Sequence, residues 1–79
     1  MKVRVENLLG KDAHEASFIE MDDEINEGQK KTVLEVRAAG RDPMRMDWAS
    51  IDEAVVVEAT PDEEAKIAAM RAEAAKYAD

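Results

Sequence analysis

Thr60-Pro61-Asp62-Glu63-Glu64 divides this chain into two physical regimes. Thr60 is an N-cap residue type, Pro61 suits the first helical position because its missing N–H would be unbonded there anyway, and Glu63 stands where its carboxylate closes a capping box. A helix is predicted to start here. Asp62, Glu63 and Glu64 suit the positive end of its dipole, Asp62 and Lys66 form an i,i+4 pair, and Ile67, Met70, Ala74 and Tyr77 recur at helical spacing. That stripe is narrow, so the helix needs an apolar sheet face to lie on.

Upstream of Thr60 the dominant period is two, the signature of half-buried strands. Val3 and Val5 alternate with Lys2, Arg4 and Glu6 within Met1 to Leu9, which Gly10, Lys11 and Asp12 bring to an end. From Ala16 to Ile25 the alternation predicts Ser17, Ile19, Met21 and Ile25 on the core side and Phe18, Glu20, Asp22 and Glu24 on the solvent side. Lys31 to Ala39 repeats it with Thr32, Leu34, Val36 and Ala38 inward, and Asn26 to Lys30 between them reads as a hairpin turn.

Two hairpin registers stay open. A two-residue turn at Glu27-Gly28 sets Met21 opposite Leu34 and Ile19 opposite Val36, at the cost of a like-charge pair between Glu20 and Glu35. A four-residue loop pairs Glu20 with Arg37 but sets Asp23 opposite Leu34 and Asp22 against Glu35. Beyond the Gly40 to Pro43 turn, Met44, Met46 and Trp48 alternate with Arg45 and Asp47 as a short edge strand, and the β-branched run Ala54 to Ala59 predicts another. The expected fold is α+β: an antiparallel sheet of about four strands with one C-terminal helix packed on one face, a single small domain over residues 1–79.

A chain of 79 residues without cysteine has neither disulfides nor thiolate metal sites to staple it, and buries only about 60% of its unfolded surface. Its stability must come from packing. The N-terminal stretch is too polar for a signal peptide and no apolar run approaches the roughly 20 residues of a membrane span, so a cytoplasmic location is expected.

Catalytic and metal chemistry find little purchase. His14 is the single histidine, and Ser17 and Ser50 have no neighbouring base. Asp22, Glu24 and Asn26 fall at positions 1, 3 and 5 of an EF-hand loop, but Glu27 replaces the required glycine and Val33 the bidentate acid. Gly40-Arg41-Asp42-Pro43 lacks the length and the lysine of a phosphate-binding loop. Neither cofactor, metal nor enzymatic activity is expected.

The charge distribution is the informative feature. Nineteen Asp and Glu against eleven Lys and Arg leave a net charge of −8, which disfavours direct binding to nucleic acid or an anionic membrane and favours a basic partner. The acids are segregated: seven lie between Asp12 and Glu27 and six between Asp52 and Glu64, with no Lys or Arg in either stretch. On a strand, Glu20, Asp22 and Glu24 would form a line of carboxylates roughly 6.6 Å apart, on the scale of nucleic-acid backbone charges. Asp52, Glu53, Glu58, Asp62, Glu63 and Glu64 supply a second patch.

In its size, acidity, lack of catalytic groups and predicted sheet-plus-helix architecture, the chain resembles the small acidic inhibitors of phages and mobile elements, including anti-CRISPR proteins and other DNA mimics. The resemblance implies a protein that occupies a site, such as the DNA-entry or motif-reading surface of a CRISPR surveillance complex, and performs no chemistry. Its partner would be a basic nucleic-acid-binding protein or complex, and it would itself be a monomer or small homo-oligomer. The charge map nominates Glu20, Asp22, Glu24, Asp52, Glu53, Glu58, Asp62, Glu63 and Glu64 as the contact residues. The competing expectation is a structural or assembly module, such as a phage virion or chaperone subunit or a toxin antidote, docking through an edge strand or the Met44, Met46, Trp48 patch.

Overall fold

The computed structural model describes residues 1–77. Strands β1 (Lys2–Arg4), β2 (His14–Asp22), β3 (Lys30–Arg37), β4 (Met44–Met46) and β5 (Val55–Glu58) form one antiparallel sheet in the order β4-β3-β2-β1-β5. A single-turn helix α1 (Glu6–Leu9) follows β1, a 3₁₀ turn (Ile51–Glu53) precedes β5, and α2 (Pro61–Ala75) ends the described chain. The expected sheet with one long C-terminal helix is present, with five strands rather than about four.

The first strand is shorter than its alternation suggests. Val5 caps α1, with its carbonyl accepting from the N–H groups of Leu8 and Leu9 at 3.1 and 2.7 Å, and Gly10 leaves the turn at a φ of 80°. Residues 6–9 are therefore helical, because a local backbone bond replaces the strand pairing that β2 does not extend far enough to offer.

The β2–β3 hairpin corrects both expected registers. Leu34 faces Phe18 and Val36 faces Ala16, so β2 is displaced by three residues from the two-residue-turn alignment that would set Met21 against Leu34. The predicted turn does form: the Gln29 N–H donates to the Asn26 carbonyl at 3.1 Å, with Gly28 at a φ of 82° that disfavours any side chain. Three residues on the β2 side, Glu24, Ile25 and Asn26, are looped out before it. Asp23 holds them there, accepting from the N–H groups of Ile25 at 2.9 Å and Asn26 at 3.2 Å and from the Asn26 side-chain amide at 3.1 Å.

An odd displacement exchanges the faces of a strand. Leu34 and Val36 are inward as expected, so the inward side of β2 is Ala16 and Phe18, and with them Glu20 and Asp22. Ser17, Ile19 and Met21, expected in the core, lie on the opposite face with Glu35 and Val33 across from Ser17 and Ile19. There Arg37 donates to Ser17 Oγ at 2.6 Å, and Glu35 is flanked by Arg45 at 3.5 Å and Arg37 at 3.7 Å. Val33, paired with Ile19 on this face, is buried at 2% exposure.

The core lies between the inward face and α2. Val3, Val5, Ala16, Leu34, Val36 and Met46 pack with Ile51 and Ala54, and Ile67 and Met70 close the layer from the helix. The helix crosses the sheet diagonally. Near its start Glu63 bonds the Met1 ammonium at 3.3 Å, Lys66 then lies 5.3 Å above the Phe18 ring, and at its end Tyr77 stacks on Trp48 with ring centroids 4.6 Å apart. Tyr77, expected in the apolar stripe, stays 64% exposed, because Trp48 covers one ring face at the rim of the sheet.

Leu34 is fully buried at the centre of this layer and Ile25 is 83% exposed at the hairpin tip. Leu34→Ala is expected to cost about 2–5 kcal/mol in urea denaturation, whereas Ile25→Ala changes stability by less than about 0.5 kcal/mol. Equal effects would contradict the looping-out of Ile25 from the ladder.

Candidate functional site

The nine nominated carboxylates separate into two groups with different fates. Glu20 and Asp22 project from β2 on the helix-bearing face, but each already has a partner across the hairpin. Thr32 Oγ1 donates to Glu20 at 2.9 Å and Lys30 Nζ donates to Asp22. Glu24 lies in the loop that Asp23 caps, outside the strand ladder. The expected line of three carboxylates along a solvent-facing strand is thus broken: its first two members share a face with the core and are hydrogen-bonded, and the third has left the strand.

The second group surrounds β5 and the start of α2. Asp52 lies 3.9 Å from Arg71, whose other guanidinium nitrogen donates to the Ala54 carbonyl at 3.3 Å. Glu63 is built into the fold: its N–H donates to Thr60 Oγ1 at 3.3 Å, its carboxylate accepts from the Thr60 N–H at 2.9 Å, and its second oxygen takes the Met1 ammonium. That capping box is the one read from the sequence. These bonds to the Thr60 backbone and the Met1 ammonium hold the Glu63 carboxyl below its ordinary pKa against the opposing effect of desolvation.

Glu53, Glu58, Asp62 and Glu64 make no ion pair or side-chain hydrogen bond among the described residues, and the same holds for Glu24. Four of these five flank one strand. Glu53 ends the 3₁₀ turn before β5, Glu58 ends β5 opposite Lys2, and Asp62 and Glu64 stand in the first turn of α2. Of the nominated carboxylates, those left unpaired among the described residues thus lie around β5 and the first turn of α2, apart from Glu24.

Sequence reasoning missed the concavity between them. Val56, Val57 and Ala59 on one side and Glu64, Ile67, Ala68 and Arg71 on the other line a groove of about 480 Å³. The readable signal was the adjacency of Ala54-Val55-Val56-Val57 to the helix cap, which obliges strand and helix to diverge from a common corner. The Met44, Met46, Trp48 patch is largely consumed by packing. Met46 is 2% exposed, Met44 packs against the core, and Trp48 stacks on Tyr77.

Among the described residues no three His, Cys, Asp or Glu side chains converge as a metal site, and no helix is long and apolar enough to cross a membrane. Ser17 accepts a hydrogen bond from Arg37, and His14, half-buried opposite Val3, has no hydrogen-bond partner at its buried Nε2.

The lowered carboxyls make stability pH-dependent in a definite sense. Glu63, and likewise Asp23, whose carboxylate accepts from Asn26 and Ile25, titrate below their ordinary values when folded. Their stabilisation is complete above the unfolded-state pKa and is lost as pH falls through the lower folded value. Urea midpoints measured from pH 6 to pH 2 are expected to fall less steeply for Glu63→Gln than for the parent. A Gln variant with the parent's slope would exclude Glu63 as a contributor.

The chain matches no protein-family model, no curated protein and no solved structure.

Proposed function

We propose that this protein is an acidic inhibitor that binds and blocks a basic, DNA-recognising site, as a DNA mimic or steric block of a CRISPR surveillance complex. The observation that carries this reading is the unpaired state of Glu53, Glu58, Asp62 and Glu64 on folded backbone, Glu53 ahead of β5 and the other three where β5 ends and α2 begins, with no base within ion-pair distance among the described residues. Holding like charges close together opposes folding, and a solubility requirement alone does not call for concentrating them. A cationic groove evolved to track phosphates gains from such a surface: association is steered, and the ordered carboxylates need no rearrangement to engage Lys and Arg.

The geometry redistributes the contact residues within this reading. Asp52 is shared with Arg71, Glu63 is committed to the helix cap, and Glu20 and Asp22 are bonded across the hairpin, which leaves Glu53, Glu58, Asp62 and Glu64 as the principal anions and Glu24 as a peripheral one. The reading involves no chemistry by the protein itself. An assembly module is favoured instead by one observation, the exposed valines of the edge strand β5, and it would bind with an affinity that survives salt.

The test is target-DNA binding by a purified CRISPR surveillance complex, measured with and without this protein. Inhibition is expected, competed by duplex DNA and weakened by about tenfold or more between 50 and 200 mM salt. Glu58→Lys, Asp62→Lys and Glu64→Lys combined should abolish it, while the same reversal at Glu20, Asp22 and Glu24 has the smaller effect. Inhibition by neither parent nor variant across complexes of different type, or binding indifferent to salt and DNA, would refute the inhibitor reading.

A further inference from the structure

The two edges of the sheet are not alike. β4 is three residues long, follows Pro43 and carries Arg45 at its centre, all devices that deter pairing with another chain. β5 has neither proline nor lysine. It is a run of three valines before Glu58, with Val55 45% and Val57 51% exposed, and among the described residues its only strand neighbour is β1. An edge strand leaves part of its N–H and C=O groups pointing away from its neighbour, ready to accept a further strand.

The ground beside that edge is shaped as well as open. The pairing of β1 with β5 is irregular between Lys2 and Val3, leaving Val57 as the extra residue, so the successive side chains of Val56 and Val57 both line the groove. Across it, Glu64, Ile67, Ala68 and Arg71 follow the i, i+3, i+4, i+7 stripe of α2, and the small Ala68 leaves the space that a larger side chain would fill. The Arg71 hydrogen bond to the Ala54 carbonyl fixes one rim of the groove, and Glu64 lies at the other.

We infer that the β5 edge and the β5–α2 groove capture an extended segment of the partner protein as a sixth strand, one that alternates apolar with basic side chains. Apolar side chains enter the groove against Val56, Ile67 and Ala68, basic ones on the strand's other face meet Glu58, and the basic flanks of the segment lie by Glu53 and Glu64 at the two ends of the groove. Charge selects this occupant over a second copy of the chain, which would bring another net charge of −8 and set two sets of the same carboxylates against each other. The inference rests on the reading that the partner is basic and specifies the surface and the mode of contact: main-chain bonds for affinity, alternate side chains for selection.

The probe is a seven-residue peptide of alternating lysine and valine, capped at both ends, titrated into the isotope-labelled full chain, with a proline-centred version as control. Amide shifts and slowed hydrogen exchange are expected within Ala54–Glu58 and Glu64–Arg71, with no response to the proline peptide. Ala68→Phe, a groove-filling change at an exposed helix position, and Glu64→Lys should each weaken binding by about tenfold or more. If Ala68→Phe fails to fold by circular dichroism, Glu64→Lys at the exposed first turn decides alone. Shifts centred on Glu20–Glu24, or unchanged affinity in a folded variant, would overturn the inference, as would a dimer in sedimentation that Ala68→Phe dissolves. The inhibitor reading is judged separately. Peptide capture without loss of DNA binding by the surveillance complex defeats that reading alone, and inhibition undiminished by Ala68→Phe defeats the groove alone.

Discussion

Everything on the helix-bearing face depends on how one aspartate ends one strand. Asp23 gathers the N–H groups of Ile25 and Asn26 and the Asn26 side-chain amide, and so holds three residues out of the ladder before the chain turns at Glu27-Gly28. Because side chains alternate along a strand, that odd excess sets Phe18 rather than Met21 opposite Leu34. It also carries Glu20 and Asp22 onto the inward face, beyond the helix, where Thr32 and Lys30 answer them. The like-charge contact of Glu20 with Glu35 is avoided, and Glu35 instead sits between Arg37 and Arg45 on the other side of the sheet.

The acids of this protein consequently differ in what they do. Asp23 and Glu63 build the fold, one by ending a strand and the other by starting a helix and tying it to Met1 beside β2. Asp22, Glu35 and Asp47 are balanced by neighbouring bases. Glu53, Glu58, Asp62 and Glu64 stand without an ion pair among the described residues around β5 and the first turn of α2, next to the sheet edge that carries neither proline nor lysine. A net charge spread evenly would act as a solubility device; unpaired charge beside exposed valines and a groove is what the proposed contact surface rests on.

Much of the fold was legible in the residues. The Thr60 to Glu64 cap, the valines at 3 and 5, the inward Leu34 and Val36, and the strand within Ala54 to Ala59 all appear where local chemistry puts them, because capping bonds and β-branched alternation act over a few residues. The candidate surface was half legible. Its acids were visible as a list, but a list does not say that Asp52 lies by Arg71 or that Lys30 reaches Asp22. Those are contacts between elements, and sequence spacing does not contain them.

From the chain alone followed the class of fold, the start of the helix, the excess of anions and their division into two stretches. Tertiary structure decided which parity of β2 faces inward, which carboxylates keep their charge unanswered, and which sheet edge lies open beside a groove. The reason is that alternation defines two faces without naming the inner one. That choice belongs to the register, and here a side chain bonding its own loop adds three residues ahead of the turn that the alternating pattern favoured.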